Sequence, residues 1–413
     1  MLSKSYNRSL FLSKSKGSNI AVVEGVMGLF DGYDALSDTG STAQMAKWLN
    51  LPVLLIVSAK GKARSAAAIV KGFEIFDPDL KFAGVVFSQA GSERHYQYLK
   101  DAVEQNCSTP CLGYMPKNEK IVMPERHLGL VTADEMPISN ETLSTLTSMV
   151  DEYIDMDTLL TKLPQVQVQK SSSENATSLE TKDSHSTKTQ PTIAVARDKA
   201  FCFYYPDNIE ILEQTGAHIV YFSPLETDTL PQNIDGIYFG GGYPELNGKI
   251  LGAKKCLLEQ VKAASDSGMP IYGECGGFMY LCRSLFDTDG KKTGDMCSIF
   301  DFDIQMSKRL RSLGYREITL KTDTLIGKKG DKIRGHEFHY SSIVSHNNTE
   351  DDRFPNVYQV ASRVGQDISL KGFQDNMTLG SYLHVHFGSN PRAAKTLVEC
   401  CNKYRQARLA KES

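Results

Sequence analysis

The sequence has 413 residues, 41% of them hydrophobic and 23% charged, with a formal net charge of −3. That length suits two or three domains with real cores, and that balance excludes an electrostatic drive toward nucleic acid or an anionic membrane. The nine cysteines are an odd number with no C-x-x-C pair, which argues against a disulfide framework or structural zinc site and for a reducing, cytoplasmic setting.

The first residues, Met1-Leu-Ser-Lys-Ser, lack the continuous apolar stretch of a signal peptide. The longest apolar runs, such as Val53 to Val57, are strand-sized and too short to span a bilayer. Asn-x-Thr triplets at Asn140, Asn175 and Asn347 are read as chance matches in a cytosolic chain.

In chain order, Asn19 to Val23, Val53 to Val57 and Phe82 to Phe87 are short apolar, β-branched runs of buried-strand type. Helical patterns over Gly40 to Asn50 and Ala63 to Phe76 separate them, which predicts a parallel sheet with crossover helices in a first domain, 1–164. Residues 165–191 are rich in Ser, Thr, Lys and Gln and cannot bury enough surface to offset their ordering entropy, so they read as a flexible linker. The second domain, 192–413, again alternates. Strands are predicted at Thr192 to Ala196, His218 to Phe222, Asp235 to Phe239 and Met269 to Tyr272, with helices at Asp207 to Thr215, Leu251 to Ser267 and Phe278 to Leu285. Phe300 to Val364 is more β-like and Pro391 to Ala410 is a terminal helix. The fold class is α/β, two domains each built on a mainly parallel sheet flanked by helices.

The sharpest chemical signal is Gly273-Glu-Cys-Gly-Gly277 directly after a buried strand. G-x-C-x-G spacing parallels a nucleophile elbow, in which glycines permit a strained strand-to-helix turn that presents Cys275. A helix N-terminus there favours thiolate and offers backbone N–H groups, Gly276 among them, to an oxyanion. The plainer reading is a structural cysteine beside a glycine turn. A cysteine nucleophile needs a base, and Gly380-Ser-Tyr-Leu-His-Val-His-Phe-Gly388 offers His384 and His386 on one strand face. Gly240-Gly-Gly-Tyr-Pro-Glu245 follows another strand. Gly241 and Gly242 could complete an oxyanion hole, or the loop could be an ordinary turn.

In the first domain, Val22-Val-Glu-Gly-Val-Met-Gly-Leu-Phe-Asp-Gly32 puts Glu24 at the end of the first predicted strand, where α/β domains place metal or phosphate chemistry. Glu24 suits Mg²⁺, which prefers carboxylate oxygen. Asp31 reads equally as ligand or turn former, as does Asp34. Ser41 or Thr42 suits a helix N-cap, or a helix end facing an anionic substrate.

The motifs GGGYPE, YGECGGFMYL and GSYLH, in this order, resemble the class I glutamine amidotransferase domain of the cobyric-acid type, a flavodoxin-like fold. In that branch the catalytic pair is Cys and His without the usual Glu two residues on, and the resemblance puts the histidine at His384. Ile193 to Asn208 and Arg334 to Ser341 resemble the cobyrinic acid a,c-diamide synthase family and the related nickel-sirohydrochlorin a,c-diamide synthase, over nearly all of the chain except the linker. The first domain then resembles a dethiobiotin-synthetase-like ATP-binding module, with the family's acidic positions on Glu24 and Asp31. Pro124 to Leu130 and Gly91 to His95 match as well.

That resemblance implies an ATP- and Mg²⁺-using ligase. Glutamine is hydrolysed at Cys275, and the ammonia amidates the a- and c-acetate carboxylates of a corrin, in the cytoplasm, with a homodimer as a possible assembly. The departures are in the first domain. No G-x-x-x-x-G-K-S/T occurs in the sequence, so the phosphate loop with its strand and helix is missing and the chain reads as truncated. Ser58 stands where many relatives carry Asp, and Ser88 where many carry Asn. The alternatives are the nickel-sirohydrochlorin enzyme, a glutaminase whose ligase half is inactive, and a non-catalytic tetrapyrrole-binding scaffold.

Overall fold

The structure is a computed structural model that describes residues 1–118, 121, 138–165, 190–344, 353–361 and 370–412. The chain divides into two compact units, one of Lys4–Ala176 and one of Thr177–Ser413 with Met1–Ser3. Most of the expected linker, 166–189, lies outside the described residues, as do Pro124 to Leu130 and the triplets' Asn175 and Asn347. No helix among the described residues is long and apolar enough to cross a membrane.

The N-terminal unit is built on three parallel strands, β1 (Val53–Ser58), β2 (Phe82–Ala90) and β3 (Cys111–Pro116), in that spatial order. After α1 (Lys4–Lys14) and α2 (Thr42–Leu49), helix α3 (Ser65–Phe76) connects β1 to β2, and α4 (Glu93–Asn106) connects β2 to β3. Helices α5 (Asn140–Tyr153) and α6 (Met156–Lys162) follow. The core joins Val57, Val85 and Phe87 of the sheet to Val70 of α3 and Leu99 and Val103 of α4.

One predicted strand does not form. Asn19 to Val23 runs outside the sheet, with Val22 at 88% exposure. An isolated β-prone run has no ladder to join, and strand propensity measures packing against neighbours more than any intrinsic backbone preference.

The C-terminal unit is centred on a six-stranded sheet. Its strands are β4 (Thr192–Ala196), β5 (His218–Phe222), β6 (Gly236–Phe239), β7 (Ile271–Glu274), β15 (Gly372–Asp375) and β16 (Thr378–Ser381), in the spatial order β15-β16-β7-β6-β4-β5. All pairs are parallel except the β15–β16 hairpin. Helices α7 (Pro206–Gln214), α8 (Gly248–Ala253), α9 (Lys255–Asp266) and α11 (Arg392–Glu412) accompany it, with the one-and-a-half-turn α10 (Gly276–Leu281) directly after β7.

The β-rich stretch predicted over Phe300 to Val364 contributes five strands to two smaller, mainly antiparallel sheets, which two strands before it and one after it complete. One is β13 (Ser341–Val344), β10 (Asp303–Met306), β8 (Ser284–Phe286) and β9 (Lys292–Asp295); the other is β14 (Tyr358–Ala361), β11 (Ser312–Leu320), β12 (Lys332–His339) and β17 (Leu383–Val385).

Several predicted boundaries move, these three among them. The helix expected over Leu251 to Ser267 is broken at Lys254, whose ψ of 55° is not helical. The helix expected over Phe278 to Leu285 starts at Gly276 and stops at Leu281, because Ser284 and Leu285 pair with Asp303 and Ile304. The strand expected to end at Tyr272 continues to Glu274, so the elbow follows the sheet with no intervening loop.

Candidate active site

Cys275 caps α10 with φ +49° and ψ −103°, a left-handed conformation that a side chain rarely adopts and that costs about 1–3 kcal/mol. The chain holds it there because both flanks are fixed. The strand before it pairs with β16, and the Cys275 amide donates to the Ser381 carbonyl at 2.8 Å. The glycines after it let other backbone approach. A Cβ on Gly276 would lie 3.0 Å from the Gly242 nitrogen and 2.9 Å from Pro244 Cδ. The Gly240–Gly242 loop and the elbow are therefore packed backbone to backbone.

His384 arrives from the same side. Three residues beyond Ser381, it lies on the short β17, register-paired with His336 of β12. Its ring lies on Gly241, where a Cβ would come within 2.3 Å of His384 Cε1. It stacks on the His336 ring at 4.6 Å between centroids and 6° between planes, and Phe203 closes edge-on at 4.8 Å. The imidazole is buried, and its Nδ1 has no hydrogen-bond partner among the described residues. Burial, aided by His336 and His339, holds it well below the ordinary histidine pKa, so it is neutral and able to accept a proton.

His386, the other histidine that the sequence left open, is engaged elsewhere. Its Nδ1 accepts the Gly388 amide at 3.1 Å and its Nε2 faces Asp207 at 3.8 Å. Its imidazole secures the turn after β17.

Burial works against the thiolate expected at Cys275. Burial pushes the thiol up to about 12, with Glu245, Glu274 and Glu337 adding to the shift and the Gly276 amide opposing it. The field of a six-residue helix is too small to offset that desolvation. The Sγ donates instead to the Phe338 carbonyl at 3.7 Å. Both shifts favour the uncharged forms, thiol and imidazole.

The oxyanion expectation also needs correction at Gly241. Its amide donates to the Phe203 carbonyl at 3.1 Å, so Gly241 serves close approach to His384 rather than offering an N–H. Gly242 and Gly276 approach each other closely across the elbow.

Sequence reasoning missed several residues around this pair. Glu274, one residue before the nucleophile, is buried and accepts from Tyr272 Oη at 2.7 Å, Tyr238 Oη at 2.8 Å and the Val385 amide at 2.9 Å. Burial pushes its carboxyl up to about 7 against those three donors. Strand β12 contributes alternately. His336 meets His384, and the Phe338 carbonyl meets Cys275. Glu337 joins Arg316 Nε at 2.9 Å and His339 Nε2 at 3.0 Å. The period-two alternation of Arg334 to Ser341 carried that signal, but only pairing with β17 shows which face matters.

In the N-terminal unit, Glu24 and Asp31 are exposed and neither is on a strand. Asp34 is a turn former, its Oδ1 accepting the Leu36 and Ser37 amides at 2.8 and 2.7 Å. Ser41 is the N-cap of α2, accepting the Gln44 amide at 3.1 Å. Ser58 and Ser88 are register partners at the C-terminal ends of β1 and β2. Among the described residues no group of three His, Cys, Asp or Glu could hold a metal. Mg²⁺ bound with a nucleotide needs only one or two carboxylates, with phosphate and water completing the shell. Glu24 and Asp31 are both open to solvent, which is compatible with a shell completed by phosphate and water and not with an all-protein cage.

Comparison with known proteins places these features in a family. The CobB/CobQ-like glutamine amidotransferase domain matches residues 192–392, and an AAA domain matches residues 4–125. A cobyrinate a,c-diamide synthase of Caldanaerobacter subterraneus is 35% identical over 98% of this chain and 86% of its own length. The chain belongs to the cobyrinate a,c-diamide synthase family. Members from Syntrophotalea carbinolica and Listeria innocua are 38% and 40% identical, over 97% and 93% of this chain and 85% and 82% of their own lengths. Among solved structures, a glutamine amidotransferase of Thermotoga maritima aligns with 54% of this chain and 86% of its own at 13% identity and a TM-score of 0.34.

Proposed function

We propose that this chain is a glutamine-dependent amide ligase that uses ATP to amidate the a- and c-acetate carboxylates of cobyrinic acid in cobalamin biosynthesis, drawing ammonia from glutamine at Cys275. The observation that carries the glutamine half is the strained elbow at Cys275, packed through Gly276 and Gly242 against the loop whose Gly241 supports the His384 ring.

The resting neutral pair sets the order of events. Neutral His384 takes the Cys275 proton as Sγ attacks the side-chain amide carbon of glutamine, so thiolate forms in the act of attack rather than before it. The Gly242 and Gly276 amides hold the oxyanion. Collapse expels ammonia with the proton from His384 and leaves a glutamyl thioester. Water, deprotonated by His384, then adds to the thioester; its breakdown gives glutamate and returns the thiol. The sum is glutamine plus water to glutamate plus ammonia.

In the synthetase half, ATP phosphorylates a ring acetate. Ammonia displaces phosphate from the acyl phosphate, giving amide, ADP and phosphate. Glu24 and Asp31 are the carboxylates that would hold Mg²⁺ against the nucleotide phosphates. The reading is compatible with a cytoplasmic enzyme, with a homodimer as one possible assembly.

The test is Cys275→Ala. Glutamine-dependent amidation of cobyrinic acid should disappear while amidation with added ammonium salt persists. Glutamate release that survives the substitution would refute the assignment. A second reading, glutamine hydrolysis without ligation, is favoured by the exposure of Glu24 and Asp31 away from the sheet. Calorimetric titration with MgATP separates the two, since saturable Mg²⁺-dependent binding rules out the second.

A further inference from the structure

Strand β17 has only three residues, Leu383–Val385, yet it carries the proposed base. A strand that short gains little from its own ladder and depends on side chains to fix it. Both main-chain groups of Val385 are held by buried side chains. Its carbonyl accepts Asn208 Nδ2 at 2.7 Å, and its amide donates to Glu274 Oε1 at 2.9 Å. Asn208 Oδ1 also accepts the Phe387 amide at 2.8 Å. Glu274 Oε1 takes a second donor, Tyr272 Oη, and Oε2 takes Tyr238 Oη. Those two rings are buried and stacked with centroids 5.3 Å apart, so the carboxylate has little freedom to move. Its backbone directly precedes Cys275, and the amide it holds directly follows His384.

We propose that Glu274 is a positioning residue for glutamine hydrolysis: by tying the end of β7 to the Val385 amide, its carboxylate sets the separation between Cys275 and His384. The inference rests on the reading of those two residues as nucleophile and base. Val385 and His386 follow His384, so no carboxylate stands two residues beyond the histidine in this chain. A carboxylate that acts on the backbone beside the histidine supplies orientation without touching the imidazole.

Replacement separates hydrogen bonding from bulk. Glu274→Leu keeps most of the volume but leaves the Val385 amide and two tyrosine hydroxyls without their acceptor. Glu274→Gln keeps an oxygen for Val385 and Tyr272 and presents its NH₂ to the Tyr238 oxygen. Misplacement of reacting groups by an ångström costs about 100-fold. The expected result is a fall in glutaminase kcat of about that size for the Leu variant with KM for glutamine little changed, and near-complete recovery in the Gln variant.

A kcat for Glu274→Leu close to wild type overturns the proposal. So does an equal loss in the Gln variant, because the charge and not the hydrogen bond would then be what matters. Circular dichroism and thermal melting establish that each variant is folded. If the Leu protein does not fold, Glu274→Asp, which retracts the carboxylate by one methylene, must lower kcat in the same way, and an unchanged kcat overturns the proposal. Cys275→Ala is assayed beside them. Glutamate release that does not need Cys275 defeats the underlying reading, whereas Cys275-dependent release indifferent to Glu274 defeats only this inference.

Discussion

The two units of this chain treat their chemical residues differently. In the C-terminal unit, Cys275 and His384 are buried, and each is fixed by backbone that glycine allows to approach. In the N-terminal unit, Glu24 and Asp31 are open to solvent on a segment outside the three-stranded sheet. The amidotransferase site is preorganised by the fold around it. The two acidic residues have no surrounding sheet to support them. Preorganised groups are expensive to disturb, whereas exposed groups are thermodynamically cheap and matter only when ligand arrives.

The sharpest break of that contrast is at His384. Substitution by alanine should lower glutamine hydrolysis by about 10²–10⁴-fold, measured as glutamate release, while His386→Asn should cost far less because His386 secures a turn. Equal losses would mean that the site depends on the strand and not on one imidazole.

Next is pH. With the Cys275 thiol raised to about 12 by burial, the thiolate fraction grows about tenfold per pH unit from pH 7 to 10. Iodoacetamide labelling of Cys275, followed by mass spectrometry, should climb through that interval. A plateau near pH 7 would restore the resting thiolate that the sequence suggested.

Gly241→Ala is expected to cost about 1–3 kcal/mol by overpacking, because the new methyl would meet the His384 ring. Glutaminase should fall with the melting temperature. Ser41→Ala, which removes the cap of α2, is expected to cost about 1 kcal/mol in the stability of the N-terminal unit without affecting glutamate release. The smallest change is Glu24→Ala. It should alter stability by less than about 0.5 kcal/mol and show itself only in calorimetric titration with MgATP. A larger stability loss would mean that Glu24 is built into the fold.

Much of this was legible in the sequence. The runs at Val53, Phe82, Thr192 and His218 announce strands by their apolar, β-branched composition; β2 and β4 are buried on both faces, whereas β1 leaves Leu54 and Ile56 exposed and β5 is largely open. The elbow was legible because glycine spacing around one cysteine has few other uses. The run at Asn19 was misleading, since a strand needs a neighbour and composition does not say whether one exists. Glu274 was invisible because a lone Glu before a cysteine looks like surface, and only three converging donors make it a buried anchor.

By itself, then, the sequence determined the α/β class, the glycine elbow around Cys275 and the family, all of which depend on local spacing along the chain. Only the tertiary structure decided that His384 and not His386 meets the glycine loop, that the Gly241 amide is taken by the Phe203 carbonyl, and that Cys275 is buried. Those outcomes depend on desolvation and on which groups meet across strands distant in sequence, and neither is encoded in any single segment.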